Sequence, residues 1–304
     1  MPIALAQVRD LLLPGLWSIT GDYPQLLRVG DKVFRTRKSN MALERSVSME
    51  YLDIAVVKTE GGPTAFNNTP GEKYIYNQEH IELARGFAIT RKTIDDNLYK
   101  TEFGPNAMGL RNAFLRTEEL YASDVLNSGT TYVSALGGDG KALFDTGHPV
   151  DGNTVSNMAS PAVSLNESAL LNAQVAINAN WRDNANQRMN ALPERLIIPP
   201  QLAPVAIRLL KTELRPGTAM NDVNAILSNQ GGVPQGYLQW NYLTSSFAWF
   251  LKTDQPGLVH MDRIPYESDM SVEFSTDNLL VKGYQRYSFN FNDWRAIYGS
   301  FATA

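Results

Sequence analysis

One stretch of this sequence, Lys58 to Lys73, is too polar and too rich in turn-forming residues to build a core of its own. Its turn-forming residues include Gly61-Gly62-Pro63, Asn67-Asn68 and Pro70-Gly71. The strand-like segments Ile54–Val57 and Tyr74–Tyr76 flank it, which predicts a long hairpin within residues 51–87. Such an excursion is rare in a compact monomer, and an isolated hairpin is barely stable in water. We therefore expect neighbouring copies of the chain to hold it in place.

The composition is that of a globular protein without thiol chemistry. Of the 304 residues, 43% are hydrophobic and 19% are charged, which excludes an intrinsically disordered chain. The absence of cysteine excludes disulfides, thiolate metal sites and cysteine nucleophiles. Arg9 and Asp10 interrupt the apolar opening, so it lacks the unbroken apolar run of a signal peptide. The uncharged stretch Val223–Leu251 is too polar to cross a bilayer.

A basic segment stands out against the formal net charge of −4, which itself argues against nucleic acid binding by the whole surface. Between residues 28 and 45 the acidic residues are Asp31 and Glu44 alone. The basic residues of this segment are Arg28, Lys32, Arg35, Arg37, Lys38 and Arg45. Two interpretations stay open. The segment faces the interior of an assembly or a neighbouring subunit, or it is a solvated charged surface.

Helical and strand-like patterns alternate without a repeat, which predicts an α+β fold. The longest helix is predicted over Asn106–Leu126, with Gly104-Pro105 as a break before it and a capped helix start at Thr93–Asp96. Its predicted buried stripe is Leu110, Ala113, Phe114, Leu120, Tyr121 and Val125. An amphipathic helix over Ile3–Leu13 is expected to precede an extended arm.

The second half of the chain predicts shorter elements. A capping box of Ser164 and Glu167 is expected to begin a helix. The buried stripe of this helix is Leu170, Ala173, Ile177 and Trp181. Further predicted elements are a buried strand at Leu196–Ile198, a helix over Leu202–Leu214 and a strand at Phe247–Leu251. From Val272 the chain predicts strands rich in alternating aromatic residues, namely Tyr284, Tyr287, Phe289, Phe291, Trp294 and Tyr298.

No active site emerges from the residue patterns. The three histidines, His80, His148 and His260, lie far apart, and none has the spacing of a metal-binding pair on one helix. The nearest approach to a site is the turn that carries Asp145, His148 and Asp151. This turn is either a metal or acid–base site, or a loop whose carboxylates accept backbone hydrogen bonds, and the second interpretation is the simpler.

Other motifs that suggest chemistry fail on their details. Gly138–Lys141 lacks the hydroxyl residue that a phosphate-binding loop needs after its lysine, because Ala142 follows. No Gly-x-Ser-x-Gly nucleophile elbow occurs. The paired acids Asp95-Asp96 and Glu118-Glu119 are adjacent, so their side chains point in different directions on a helix. They are predicted to be a cap and a solvated face rather than a catalytic dyad.

Several segments occur in an order that matches a known family. They are Gly86–Arg91 with Ile94–Asp96 just after it, Leu143–Pro149 with an LF-x-T-x-H pattern, Leu192–Pro200 ending in two prolines, and Phe247–Leu251 ahead of the aromatic tail. In this order they resemble the Mu-like major head subunit family of tailed-bacteriophage major capsid proteins. The resemblance covers the chain from about Tyr51 to the C-terminus.

The resemblance implies the Hong Kong 97-type capsid fold. Its parts map onto an N-terminal arm at 1–50, an E-loop hairpin at 51–85, a P-domain at 86–136 and 264–304 with a spine helix at 106–128, and an A-domain at 137–263. It implies a structural protein and not an enzyme, in the form of pentamers and hexamers of an icosahedral head that encloses phage DNA. The expected location is the virion, after assembly in the host bacterial cytoplasm. No cofactor, metal or membrane association is expected.

The resemblance also implies partners. They are sister copies of the chain, a separate scaffold protein, a portal, decoration proteins and packaged double-stranded DNA, the last contacted without sequence specificity. The predicted E-loop contact residues are Lys58, Asn67, Asn68 and Lys73, which also supply the residue types for the lysine–asparagine crosslink of a few relatives. The alternatives are a tail or decoration protein of a virion, and a metal-dependent hydrolase that uses Asp145, His148 and Asp151.

Overall fold

The computed structural model describes residues 28–50, 54–64, 66, 71–96, 99–212, 224, 226 and 232–302. The helix predicted over Ile3–Leu13 and the loop residues Asn67 and Asn68 lie outside these ranges. The chain divides into two compact units. The first comprises the chain up to Ala42, Glu79–Ala122 and His260–Phe289, and the second comprises Leu43–Gln78, Ser123–Val259 and the chain from Asn290 onward.

Helices and strands are mixed along the whole described chain, as the α+β prediction requires. The α-helices are α1 (Gly30–Val33), α2 (Arg91–Asp95), α3 (Tyr99–Asn127), α4 (Glu167–Val175) and α5 (Ala203–Lys211). The strands are β1 (Arg35–Lys38), β2 (Leu43–Met49), β3 (Glu72–Glu79), β4 (Ile81–Ile89), β5 (His148–Val150), β6 (Asn153–Val155), β7 (Pro193–Ile198), β8 (Tyr237–Gln239), β9 (Trp249–Thr253), β10 (Leu258–Val272), β11 (Leu279–Phe291) and β12 (Ile297–Ser300). Three-residue 3-10 helices span Ser134–Leu136, Pro200–Leu202 and Trp294–Ala296, and a π-helical turn, Ala176–Asn180, follows α4.

The first unit is a four-stranded sheet covered by the long helix α3. The strand order is β1-β10-β11-β4, and β11 pairs antiparallel with β4, with Leu279 opposite Ile89. The core between helix and sheet consists of Ile89, Ile94, Phe103, Ala107, Leu110, Phe114, Met270, Leu279 and Val281. Burying one such side chain contributes about 1.5–3 kcal/mol, so this apolar contact fixes the helix on the sheet.

Close packing of α3 on the sheet depends on Gly283 of β11. A Cβ atom at this position would lie 2.7 Å from the Phe114 ring and 2.8 Å from the Tyr266 ring. The two rings meet edge to face with their centroids 5.1 Å apart, an arrangement that aromatic pairs favour. Any larger residue at 283 would therefore push the helix away from the sheet.

The long helix differs from its prediction at its start. α3 runs without a break from Tyr99 to Asn127 and contains Pro105, which was expected to interrupt it. A proline inside a helix removes one backbone hydrogen bond and costs about 3 kcal/mol. Phe103 and Ala107, on either side of Pro105, are both buried in the core of the first unit, which offsets this cost. The predicted cap is wrong by three residues, since the Thr90 side chain, not that of Thr93, caps α2.

The predicted buried stripe of α3 holds only in its first half. Leu110 and Phe114 are buried as expected, whereas Leu120 and Tyr121 are 51% and 42% exposed. The inward positions of the second half are Leu115, Glu118, Glu119, Ala122 and Leu126. The predicted stripe was chosen from the apolar residues of the helix. In the structure Glu118 and Glu119 face inward instead, so the neighbouring Leu120 and Tyr121 face outward.

The second unit is built around a mixed sheet of strand order β12-β9-β7-β8. β7 pairs parallel with β8 and antiparallel with β9, and Leu196, Ile197 and Ile198 are fully buried, as predicted for this strand. The predicted stripe of the second helix is also confirmed by the burial of Leu170, Ala173, Ile177 and Trp181. Its predicted cap is wrong, because the Asn166 side chain, not Ser164, accepts the backbone N–H of Ala169.

The hairpin expected around the polar excursion exists, but one of its strands was misassigned. β3 pairs with β2 (Leu43–Met49), and the Glu50 N–H donates to the Gly71 carbonyl at 3.0 Å where the excursion begins and ends. Ile54–Val57, the predicted strand, has no regular secondary structure. Its β-branched residues favour a strand, but without a paired neighbour in the described chain they form none.

The aromatic tail also begins earlier than predicted. The strand expected from Val272 is in fact the end of β10, which starts at Leu258, and β11 follows after a short turn. The aromatic residues Tyr287, Phe289 and Phe291 of β11 are buried. None of the helices in the described chain has the length and apolar character needed to span a membrane.

Candidate inter-subunit surfaces

The excursion between β2 and β3 carries large apolar side chains in solvent. Ile54, Val56, Val57 and Phe66 are 72%, 77%, 92% and 91% exposed. The outward face of β2 adds Leu43, Val47 and Met49, also exposed. A contiguous run of exposed apolar side chains on a soluble protein marks an interaction surface. We refer to the described residues of this segment, 50, 54–64, 66 and 71, as the projecting loop.

The base of the projecting loop is firmly attached to the rest of the second unit. Lys73 Nζ donates to the Asn184 carbonyl at 2.6 Å, and Asn184 Nδ2 donates to Ser48 Oγ at 2.7 Å and to the Met49 carbonyl at 2.8 Å. Arg295, itself buried, donates to Asn184 Oδ1 at 3.1 Å and so holds the amide in place. The polar network fixes the ends of both hairpin strands to the rest of the second unit.

A glycine turn completes this attachment. The Gly138 N–H donates to the Ile75 carbonyl at 2.8 Å, and Gly138 has a φ of +81°, which glycine adopts readily. A Cβ atom there would lie 2.3 Å from the Tyr76 ring. The loop therefore has a rigid base, and its exposed apolar side chains gain no cover from the described chain.

A second exposed apolar side chain lies at the turn between β10 and β11. Phe274 is fully exposed, and the turn that carries it is held by the Asp277 N–H, which donates to the Glu273 carbonyl at 2.9 Å. Arg91 of α2 donates to Asp277 Oδ2 at 2.9 Å. Phe274 thus projects from a constrained turn of the first unit and is a second candidate contact point.

The basic segment is divided by the structure into anchored and outward-facing residues. Arg28 contacts the carboxylates of Glu118 and Asp31, and Arg45 donates to Asn77 Oδ1 at 3.3 Å. β1 is an edge strand of the first sheet, and its Arg35, Arg37 and Lys38 are exposed. Within the described residues these three make no ion pair shorter than 4.0 Å. Exposed basic residues also keep an edge strand from pairing with other sheets.

Of the two lysines predicted as E-loop contacts, only one is available to a neighbour. Lys58 is exposed on the projecting loop. Lys73 is bound by Asn184 and lies 3.8 Å from Glu50, so it belongs to the base of the hairpin. The predicted contacts Asn67 and Asn68 lie outside the described residues.

The turn suspected of metal or acid–base chemistry is a structural hydrogen-bond network. His148 is fully buried, and its Nδ1 lies 2.6 Å from Asp139 Oδ2, a partner that the sequence did not suggest. Asp145 accepts the Gly147 N–H at 2.8 Å, as the simpler interpretation predicts. Asp151 lies in the turn after β5, at a φ of 42°. The three predicted residues do not form a common site.

The orientation of Asn157 shows how His148 is used. Asn157 Nδ2 donates to the Leu143 carbonyl at 2.7 Å, so its Oδ1 faces the Asp145 N–H at 3.0 Å and His148 Nε2 at 3.2 Å. His148 Nε2 must therefore donate, while Nδ1 shares a proton with Asp139. The ring also stacks on Trp294 at a centroid distance of 4.4 Å. Both ring nitrogens are engaged, which leaves none for a metal or a substrate.

The paired acids Glu118 and Glu119 are buried, and the prediction of a solvated face is wrong. Glu118 contacts Arg28, and Glu119 Oε1 accepts the Gly30 N–H at 3.0 Å. Both partners lie at the start of α1 or just before it, about 90 residues earlier in the chain (separations 90 and 89). A buried carboxylate requires such a partner, because an unpaired charge is strongly disfavoured in a protein interior.

A cavity of about 230 Å³ adjoins Glu118 in the first unit. Its lining is polar and includes Arg28, Asp31, Arg111, Glu118, His260 and Asp262. Burial, followed by the nearby charge of Arg28, lowers the pKa of His260 to about 4, so the ring is neutral at neutral pH. Burial likewise raises the pKa of Asp262 and lowers that of Arg111. This cluster gave no signal in the sequence, since its members are scattered along the chain.

The fold of both units matches those of virus capsid subunits. A virus-like particle from Pyrococcus furiosus is 12% identical, with a TM-score of 0.54 over 97% of this chain and 99% of that chain. The capsid subunit of a native GTA particle is 13% identical, with a TM-score of 0.57 over 91% and 92%. The capsid of Cyanophage P-SCSP1u is 10% identical, with a TM-score of 0.57 over 93% and 91%. These matches confirm the predicted Hong Kong 97-type fold.

The sequence itself matches one family model. The model describes a phage capsid protein and covers residues 81–300, from β4 to the end of β12. No curated protein sequence matches the chain. The matched model does not specify the Mu-like subfamily, which stays a prediction. Because the model spans most of the chain and the fold agrees with it, the chain belongs to the phage capsid protein family.

Proposed function

We propose that this chain is a major capsid protein whose copies form pentamers and hexamers of an icosahedral head around packaged DNA. The observation that carries the proposal is the projecting loop. Its apolar side chains, of which those of Val57 and Phe66 are more than nine-tenths exposed, lie beyond a base fixed by Asn184 and Arg295. A rigid base with uncovered apolar side chains suits a segment that a sister copy covers, since obligate interfaces resemble a protein core cut in half.

The domain assignment follows the same proposal. The N-terminal arm is then residues 1–50, the E-loop 51–85, the P-domain 86–136 and 264–304 with α3 as its spine, and the A-domain 137–263. Phe274, on its constrained turn in the first unit, is then a second contact between copies. The chain would be located in the virion, after assembly in the cytoplasm of the host.

We further propose that the chain has no catalytic role. Two of its three buried histidines serve structure: His148 is engaged at both nitrogens, and His80 lies between Ser39 Oγ at 2.8 Å and Ser288 Oγ at 3.1 Å. A hydrolase based on Asp145, His148 and Asp151 would need these side chains to meet at one cleft. A scaffold protein, a portal and decoration proteins are the partners expected of a head subunit.

Assembly of the chain tests the proposal directly. The purified protein, expressed alone and together with its neighbouring genes, is expected to form ring-shaped capsomers or closed shells because its apolar loops cover one another. Sedimentation velocity and negative-stain electron microscopy would detect them. A chain that stays a monomer at every concentration and with every neighbouring gene would contradict the function.

The basic edge strand β1 is expected to face DNA or a neighbouring subunit. Changing Arg35, Arg37 and Lys38 to Glu should lower the yield of DNA-filled particles by about tenfold or more, since phosphate contacts depend on such charges. Nuclease-protected DNA per particle is the measurement. The matched control reverses three other exposed charges of the first unit, Arg85, Lys92 and Lys282. If the β1 variant gave the wild-type yield of DNA-filled particles, β1 would be only a solvated charged surface.

A further inference from the structure

Three potential metal ligands from distant parts of the chain meet in the cavity of the first unit. Asp31 lies on α1, Glu118 on α3 and His260 on β10. One ligand atom from each of them lies within 4.8 Å of the others. One imidazole and two carboxylates make a donor set typical of a divalent first-row transition metal such as zinc.

Two of these side chains carry buried polar atoms that nothing satisfies. Glu118 and His260 are 3% and 4% exposed, and both line the cavity. Glu118 Oε2 and His260 Nε2 have no hydrogen-bond partner among the described residues. Most buried polar atoms in proteins are paired, so an unpaired acceptor and an unpaired ring nitrogen beside one cavity call for a ligand.

The His260 ring is held in an orientation that suits metal binding. It stacks on Phe289 with a centroid distance of 4.1 Å, and its Nδ1 lies 3.4 Å from Thr36 Oγ1. Nε2 consequently faces Glu118, at 3.9 Å from Oε1. Metal-binding histidines characteristically use one nitrogen for the metal while the other makes a hydrogen bond that fixes the ring.

The Arg28 guanidinium now occupies part of this position. It contacts Glu118, and its Nε lies 3.3 Å from Asp31 Oδ2. Arg28 is thus the internal cation for the same two carboxylates that a metal would need. Its side chain is 24% exposed, so it is close enough to solvent to swing out.

We propose that Asp31, Glu118 and His260 form a site for a divalent transition metal ion, which binds by displacing the Arg28 guanidinium. The metal would complete its coordination with solvent from the adjoining cavity, as three-ligand zinc sites do. The site lies wholly within the first unit and does not depend on shell assembly. Arg28 and the metal compete for one pair of carboxylates, so whatever removes the arginine strengthens metal binding.

The test is titration of the purified full chain with Zn²⁺, measured by calorimetry, and with Co²⁺, measured by visible absorption. One ion per chain is expected. Arg28→Ala should tighten Zn²⁺ binding by about tenfold, because charged hydrogen bonds to the ligands are lost. His260→Gln should weaken it by about a hundredfold or more, as loss of a ligand exceeds loss of an outer-shell partner.

His80→Gln is the matched control, because His80 is equally buried in the same unit but faces two serine hydroxyls. It should leave Zn²⁺ affinity unchanged. The site would be overturned if His260→Gln bound Zn²⁺ as tightly as the wild type does, or if Arg28→Ala bound no Zn²⁺. Should His260→Gln fail to fold by circular dichroism, the titrations of the wild type and of Arg28→Ala still decide, since in Arg28→Ala the Zn²⁺ ion replaces the positive charge that Glu118 loses. Neither result bears on whether the wild-type chain forms shells.

Discussion

Replacing Ile54, Val57 and Phe66 with serine is expected to leave a folded subunit that no longer closes into shells. These side chains touch nothing that would cover them in the described chain, being 72%, 92% and 91% exposed, so their loss removes no contact from the subunit itself. Each apolar side chain of this size contributes about 1.5–3 kcal/mol when it is fully buried. Their loss from every copy should therefore abolish assembly while the thermal unfolding midpoint stays unchanged.

Electron micrographs and sedimentation profiles of the triple variant provide the measurement. The matched control keeps the apolar surface, with Ile54→Val, Val57→Ile and Phe66→Tyr, and should assemble as the wild type does. A shorter loop gives an independent check, because deletion of residues 59–70 leaves the Glu50–Gly71 hydrogen bond and the Lys73–Asn184 contact in place. Closed shells from the serine variant would show that the projecting loop is not the contact between copies.

His148→Ala is expected to cause the largest loss of subunit stability. The substitution leaves Asp139, whose side chain is 1% exposed, without its histidine partner in the interior of the second unit. Removal of one partner from a buried hydrogen-bonded pair leaves the other unsatisfied, which costs about 1–3 kcal/mol. The variant also loses the stacking on Trp294 and the hydrogen bond to Asn157. Urea unfolding followed by tryptophan fluorescence should show a clearly lower midpoint.

A double-mutant cycle separates the contribution of the His148–Asp139 hydrogen bond to stability from that of the packing of the ring. Adding Asp139→Asn to His148→Ala should recover part of the lost stability, because an amide is cheaper to bury without a partner than a carboxylate. Asp145→Asn is the matched control, since Asp145 contributes a local hydrogen bond to Gly147 at the surface of the same turn. An unchanged midpoint for His148→Ala would mean that the buried pair contributes nothing to stability.

Local sequence patterns predicted the buried residues correctly where apolar residues recur at regular spacing within one element. The stripe of α4 and the strand at Leu196–Ile198 are buried as predicted, because apolar residues at regular spacing settle which face turns inward. The pairing of strands that are distant in the sequence was predicted less well. The chain pairs β3 with Leu43–Met49 rather than with Ile54–Val57, a choice between two apolar segments that β-propensity alone does not make.

The sequence by itself determined that the stretch from Lys58 to Lys73 has no core of its own, and the order of its motifs determined the fold family. Only the tertiary structure decided that Glu118 and Glu119 lie inside, opposite Arg28 and Gly30. The physical reason is that a charge is tolerated in the interior only beside a partner. When that partner lies about 90 residues away in the sequence (separations 90 and 89), no local pattern around the carboxylate indicates it.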